Sequence, residues 1–393
     1  MMRTLLSFVL MLGATGASAE KPKFLNPEQE AYIHRGVEKM IRMEFDASRK
    51  EFEVLEKMVP GHPHPYFGYA SVAWLRFIYE SEQSDQALLK PFHEAIEKGI
   101  DVSDAWVKLH PEDAEGWMTR GALHGLYARL LMTRHRYIKG YFTARTSMKS
   151  VRRALKIDPE LMDAKLGIGM YDYYTDVYPH FVGVLAKLVL RGDRERGIAL
   201  INEVAEKGRF SKWTAKMALV EIYTHDMWGA KDPERAVEIM AEVREAFPNS
   251  SMLHSAELCA KLYANHYAEV EVDAVKFIKR VDSGEYLALE KAKGLLILGH
   301  AQWFLGKPTL ALKSFREAAL IKMKGQLSRY AVASLIRAGN VLDTMGKRED
   351  AMALYKQAKG QPDHWGFKKV AALHLSKPFI LPTLPFIITP HDF

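Results

Sequence analysis

Two segments of the chain, "LGHAQWFLGKPTLALKSFREAAL" (298–320) and "AGNVLDTMGKREDAMALYKQAKG" (338–360), align without a gap at an offset of forty residues. Gly299 meets Gly339, Gly306 meets Gly346, Lys307 meets Lys347, Ala311 meets Ala351, Phe315 meets Tyr355 and Ala318 meets Ala358. The spacing has a physical reading. Gly299 and Gly339 lie in a first helix, where a second helix crosses so closely that a side chain would collide. Gly306 and Gly346 end that helix, where a left-handed backbone suits glycine. Ala311 and Ala351 mark another close crossing, and Phe315 and Tyr355 fill the groove between units. One such unit cannot bury both of its faces, so neighbours must stack on it.

This small–small–aromatic–small order resembles the tetratricopeptide repeat (TPR) family. The resemblance implies an all-α fold, a right-handed superhelical solenoid of helix-turn-helix units. Weaker copies lie upstream. "PERAVEIMAEVREAFPN" (233–249) reads as a second helix, with Pro233 in its first turn and Ala236 at the close crossing. "SVRRALKIDPE" (150–160) is another second helix, and "AEGWMTRGALHGLYARLL" (114–131) supplies a first helix with Trp117 and Gly121 on one face. Residues 31–63 read as an opening unit. At about forty residues each, Ala31 to Gly360 holds roughly eight units, several of them degenerate.

The N-terminus, "MMRTLLSFVLMLGATGASAEKP", sets one Arg before an apolar run from Leu5 to Leu12 and then small residues ending at Ala19. This is the layout of a cleavable secretory signal, and the run is shorter than the about 20 residues that span a bilayer. The expected organisation is a signal peptide over 1–19, a solenoid over 20–375 and an extended tail over 376–393, with the mature protein periplasmic or secreted. Cys259 is the single cysteine, so no intramolecular disulfide can form, and its helical setting suits a buried small hydrophobe. With 48% hydrophobic and 26% charged residues the composition is that of a folded chain. A net charge of +7 is mild for this length, and "RTSMKSVRR" (145–153), the nearest thing to a nucleic-acid stripe, reads first as one solvated helix face.

The stretch "LGIGMYDYYTDVYP" (166–179) crowds two glycines, four tyrosines and two aspartates into fourteen residues. Registered on the repeat, Gly167 falls where Gly121, Gly299 and Gly339 fall, and Tyr171, Tyr174 and Tyr178 share its helix face. Without a third glycine or a preceding strand it is no dinucleotide loop, so packing is the first reading. In the TPR family the first helices line a concave surface that holds ligands. Carried over residue by residue, this implies groove positions Ala164, Ile168, Tyr171 and Asp172, then Leu296, His300 and Trp303, then Ile336, Asn340 and Asp343. The same register gives Met118, Ala122 and Gly125 in an earlier unit. The groove lacks the repeated Lys/Arg clamp with which some family members hold a C-terminal carboxylate. "GIGMYDYY" with "LRGDRERG" further resembles an uncharacterised group of exported bacterial TPR proteins, which implies architecture and no chemistry. The apolar run Phe181–Leu190 reads as a core helix, with a docking surface as the alternative.

Catalytic constellations are sparse. His62 and His64 in "GHPHPYF" stand two apart between prolines, a spacing that suits a metal only if further ligands converge. The simpler reading is an inter-repeat turn. No GxSxG, P-loop, CxxC or HExxH pattern occurs. The tail "SKPFILPTLPFIITPHDF" has four prolines that forbid a helix, and it is apolar, so it is expected to cap the last repeat or to insert into a groove or partner. The sequence thus reads as a non-enzymatic interaction scaffold for a protein or peptide partner, with no cofactor or metal and no nucleic acid. The alternatives are a metal-dependent hydrolase on the same scaffold and a membrane-surface adaptor that touches the bilayer through the tail without spanning it.

Overall fold

The computed structural model describes residues 24–177, 192–225, 231–362 and 365–381. The expected signal peptide, Tyr178, the run Phe181–Leu190 and the tail from residue 382 onward lie outside them. Seventeen helices are found among the described residues, and they follow one another as hairpins. Helix α1 (Pro27–Ile41) pairs with α2 (Phe45–Met58), α3 (His64–Tyr79) with α4 (Gln86–Leu109), and α5 (Ala114–Thr133) with α6 (Tyr137–Ile157). Helix α7 (Met162–Val177) pairs with α8 (Arg194–Lys207), α9 (Lys212–His225) with α10 (Pro233–Ala246), and α11 (Ser251–Tyr263) with α12 (Tyr267–Asp282). Helix α13 (Glu290–Phe304) pairs with α14 (Pro308–Ala318), α15 (Arg329–Thr344) with α16 (Arg348–Lys359), and α17 (Phe367–Ser376) covers the end. The architecture is an all-α solenoid. Among the described residues the one departure is a two-residue-per-strand ribbon, β1 (Lys322–Met323) with β2 (Gln326–Leu327), inside the α14–α15 connection.

Local chemistry sets the helix limits. Asn26 and Gln29 form a reciprocal capping box at α1. Asp85, Asp113, Asp193, Asp232, Ser250 and Ser328 each accept a backbone N–H at the start of α4, α5, α8, α10, α11 and α15. Gly306 and Gly346, with φ of +72° and +75°, turn α13 into α14 and α15 into α16.

The close crossings expected at Gly299 and Gly339 are present, and the rings expected between units, Phe315 and Tyr355, lie inside the hairpins against those glycines. Phe52, Phe315 and Tyr355 lie sixteen residues after Gly36, Gly299 and Gly339, and each ring abuts its glycine. A Cβ at those glycines would fall 2.6, 2.5 and 2.5 Å from ring carbons, inside van der Waals contact. Only hydrogen fits there, so the two helices approach and the ring is fully buried. The longer α5–α6 hairpin uses Val151 against Gly121 and ties the pair with Ser147 Oγ donating to Gly121 O at 2.6 Å.

The tyrosine-rich stretch resolves into a helix crossing, with one correction. The tight contact of α7 is at Gly169, two residues beyond the expected Gly167. A Cβ on Gly197 of α8 would lie 2.7 Å from Gly169 O, whereas one on Gly167 would meet only Val151 at 3.2 Å. Asp172 then faces α8 and accepts from Arg196 Nε at 2.8 Å, and Asp176 pairs with Arg194 at 3.8 Å. The two aspartates and "GDRERG" are therefore one interlocking pair of helices.

The solenoid also makes contacts that stacking alone does not require. Ser250 Oγ donates to Ile41 O at 2.8 Å, Arg42 lies over Phe247, and Arg209 bonds to Glu30 and Glu115. The α3–α4 turn reaches further. Glu82 accepts the N–H of Arg329, Trp365 Nε1 donates to Glu82 O at 2.7 Å, and Asp85 pairs with Lys324. Glu82 and Gln83 hold φ of +48° and +63°, a conformation unfavourable by about 1–2 kcal/mol per non-glycine residue that the surrounding contacts over-determine. Beside them Lys293 is buried with Glu290 at 3.0 Å and the rings of Tyr79 and Tyr330 at 5.5 and 5.1 Å. Burial alone would lower the Lys293 pKa, but Glu290 and the two phenols outweigh it and hold the ammonium protonated.

Candidate functional site

Packing decides what the expected groove residues do. Ala164, Asp172, Leu296, His300, Trp303, Ile336 and Asn340 are all buried. Ala164 and Ile168 belong to the apolar seam of α5, α6 and α7, and Leu296 and Ile336 to the core between α13 and α15. Tyr171 is half-buried near Tyr141, Arg145 and Arg152 of α6, and burial raises its phenol pKa. Met118, Ala122 and Gly125 are half-buried on α5. Most of these positions are enclosed by neighbouring helices, and Phe379 of the returning chain lies on Trp303 and Asp343.

At Asn340 and Asp343 the reason can be read from the repeat itself. Tyr355 occupies the position of Phe315, and a buried hydroxyl needs partners. Its OH donates to Asp343 Oδ2 at 2.9 Å and accepts from Asn340 Nδ2 at 3.0 Å. Forty residues earlier the corresponding positions hold His300 and Trp303, and there the ring is Phe315, which has no hydroxyl. His300 and Trp303 pack edge-on to it at 5.3 and 6.4 Å. Comparing the two copies for this co-variation would have exposed the inward role of both pairs from sequence.

One part of the inner surface is occupied by an extended segment. After α17 the chain turns back, and Phe379 inserts its ring between Trp303 at 5.8 Å and His374 at 5.5 Å. The Phe379 N–H donates to Asp343 Oδ2 at 2.7 Å. Arg348 organises the acceptor, donating to both Asp343 oxygens at 3.0 Å and to the carbonyls of His374 and Leu375 at 2.8 and 3.0 Å, which caps α17. Burial, with the Asp343 carboxylate beside it, pushes the Tyr355 phenol pKa up, and burial lowers that of His374. Beyond Phe379, Ile380 is 82% exposed. The arrangement is a ring slot with an adjacent carboxylate that accepts a backbone N–H, a geometry that can hold an extended peptide. Phe379→Ala is expected to speed proteolytic cleavage after α17 severalfold without changing helix content, as measured by timed digestion and mass spectrometry.

The two histidines of "GHPHPYF" take a structural role. His62 and His64 are buried with their rings stacked at 5.2 Å, His62 beside Trp106 and His64 beside Phe210. His62 Nε2 lies 3.6 Å from Asp113 Oδ2, and Thr119 Oγ1 lies 3.0 Å from His64 Nδ1. Burial holds His64 well below its ordinary pKa. Among the described residues no three His, Cys, Asp or Glu side chains gather as a metal site. Burial raises the Cys259 thiol pKa, which keeps it from being a nucleophile at neutral pH. A shallow depression of about 460 Å³ is lined by Glu53, Glu56, Lys57 and Tyr66, but its Glu56 carboxylate is already bonded to Tyr66 and Tyr69. Among the described residues no helix is long and apolar enough to cross a membrane.

No family model matches the chain, and neither does any curated protein. Solved structures of helical-repeat proteins do resemble it. A tetratricopeptide repeat protein from Parabacteroides merdae is 11% identical, covering 76% of this chain and 95% of that one, with a TM-score of 0.33. Human IFIT1, solved as a dimer with m7Gppp-AAAA, is 12% identical over 90% of this chain and 86% of its own, with a TM-score of 0.47. Yeast Tom70 is 8% identical over 89% and 96%, with a TM-score of 0.21. At these values the superpositions carry no functional inference. The glycine–aromatic hairpins of the chain itself make it an all-α solenoid of TPR-like repeats.

Proposed function

We propose that the protein is a non-enzymatic interaction scaffold of the bacterial cell envelope, exported by its N-terminal signal, that holds an extended apolar segment of a partner protein. The proposed binding surface is the slot of Trp303, Asp343 and His374, where the chain's own residues 377–381 lie. The observation that supports this reading is the Phe379 contact. An extended stretch places one ring in an aromatic slot and one N–H on a pre-organised carboxylate, the combination by which a grooved surface recognises a peptide. The tail then acts as a built-in occupant that a partner segment must displace. The metal-dependent hydrolase has less support, because His62 and His64 are enclosed in the core.

The test is capture from an envelope extract by three forms of the protein. Phe379→Ala frees the slot and is expected to capture more partner than the wild type, while Trp303→Ala removes the slot and captures less. Equal capture by all three would overturn the assignment of the slot. Stoichiometric zinc in the purified protein would favour the hydrolase instead.

A further inference from the structure

Ten Lys and Arg residues and no Asp or Glu lie in residues 116–157, which form most of the α5–α6 hairpin. The other 351 residues carry 45 basic and 48 acidic side chains, a net charge of −3 where the whole chain has +7. The excess positive charge is therefore local. Arg120 and Arg129 at the α5 end are paired, with Asp104 and Glu221. Arg134, after α5, lies over the Phe77 ring, and the other seven run outward along α6 and its start: Arg136, Lys139, Arg145, Lys149, Arg152, Arg153 and Lys156 are exposed, with no ion pair to a carboxylate among the described residues.

Their order along the helix is specific. Ile138, Phe142, Arg145, Lys149, Arg152 and Lys156 succeed one another at three- and four-residue steps, so they form one straight stripe. At 1.5 Å per residue it runs about 27 Å. Its leading end is apolar and unburied: Ile138 is 79% exposed, Phe142 58% and the adjoining Tyr137 41%. The opposite face, with Gly140, Ser147, Met148, Val151 and Ala154, is buried against the neighbouring helices. Exposed aliphatic and aromatic side chains at one end of a cationic stripe cannot be accounted for by packing, because the helix already buries its other face.

We propose that this stripe is a docking surface for a bilayer rich in anionic phospholipid. The cations lie over the phosphates, and Ile138, Phe142 and Tyr137 enter the headgroup–acyl boundary, as in interfacial amphipathic helices. Ile138 favours lipid over nucleic acid, since an aliphatic side chain neither stacks on a base nor reads one. The surface is separate from the Phe379 slot, so either assignment stands if the other fails.

The experiment is co-sedimentation of the purified full chain with vesicles of phosphatidylglycerol and phosphatidylcholine, and with phosphatidylcholine alone. The wild type is expected to bind the mixed vesicles, to leave them as salt is raised, and to bind neutral vesicles weakly. Binding to the neutral vesicles also reads any contribution from other apolar segments. Arg145→Glu with Lys149→Glu is expected to lower mixed-vesicle binding about tenfold or more, as is Ile138→Ser with Phe142→Ser. All four side chains are exposed, so an unchanged helical circular dichroism signal verifies folding. Three results would overturn the proposal: no vesicle binding by the wild type, equal binding by the wild type and both double variants, or a single-stranded oligonucleotide that binds the stripe in preference to vesicles.

Discussion

Phe315→Ala is expected to destabilise the α13–α14 hairpin by about 3–5 kcal/mol, among the larger effects a single core substitution produces. Phe315 is fully buried and lies directly over Gly299, where no side chain exists to move into the space its ring leaves. The two helices are held apart by further contacts on both flanks, so the cavity cannot collapse. Loss in one hairpin removes a surface that its neighbours stack on, and the effect extends along the array. Global unfolding of such a chain is not a single two-state step, so hydrogen exchange read helix by helix is the appropriate measurement. Protection should fall first in α13 and α14 and then in α15 and α16. Tyr355→Ala should behave alike one unit later, whereas Tyr355→Phe keeps the ring and leaves Asp343 and Asn340 short of one partner, for about 1–3 kcal/mol. Unchanged protection in Phe315→Ala would mean that the ring is not the seam between these helices.

Glu82→Gln is expected to stabilise the protein above neutral pH and to leave it nearly unchanged near pH 5. The Glu82 carboxyl is buried where the α3–α4 turn meets α15, and burial raises its pKa from 4.5 to about 7. The Arg329 N–H and the charges of Lys293 and Arg329 oppose that rise, while Glu290 adds to it. Only one carboxyl oxygen has a partner, the Arg329 N–H. The folded chain therefore keeps a proton that the unfolded chain releases. Between pH 4.5 and 7 folding binds more protons than unfolding does, so stability falls as pH rises, and the loss is complete above about 7. The shift corresponds to about 3 kcal/mol. Glutamine retains an oxygen for the Arg329 N–H and cannot ionise. Urea midpoints of the two proteins should coincide at pH 5 and separate by pH 8, with Glu82→Gln the higher. Coincident midpoints at both would mean that the carboxyl is hydrated and the turn is not sealed against α15.

How much of this was legible in the sequence depends on how far apart the contacting residues lie. The glycine, alanine and aromatic positions recur at an offset of forty, so their spacing alone announced helix hairpins and their stacking, while the seating of Phe315 on Gly299 and of Tyr355 on Gly339 came from the structure. Gly306 and Gly346 marked their turns for the same reason. The α7–α8 crossing lacked a second copy to align against, and its register came out two residues early at Gly167 instead of Gly169. The groove positions rest on a resemblance that implies exposed inner faces. Ala164 and Ile168 are enclosed by α5 and α6, Asp172 pairs with Arg196 of α8, and Leu296 and Ile336 lie between α13 and α15; in addition Phe379 returns to Trp303 and Asp343, a contact that leaves no periodic trace.

The sequence by itself determined the helices, their caps and the hairpin seam, because these rest on local backbone geometry and on side chains within one repeat. Only the tertiary structure decided that Phe379 returns to Trp303 and Asp343, and that Ile138 and Phe142 stand exposed at the end of the cationic stripe of α6. Whether a polar or apolar side chain is buried depends on what the rest of the chain places against it, and in this solenoid that neighbour comes from the adjoining helices and, at Trp303 and Asp343, from the returning chain.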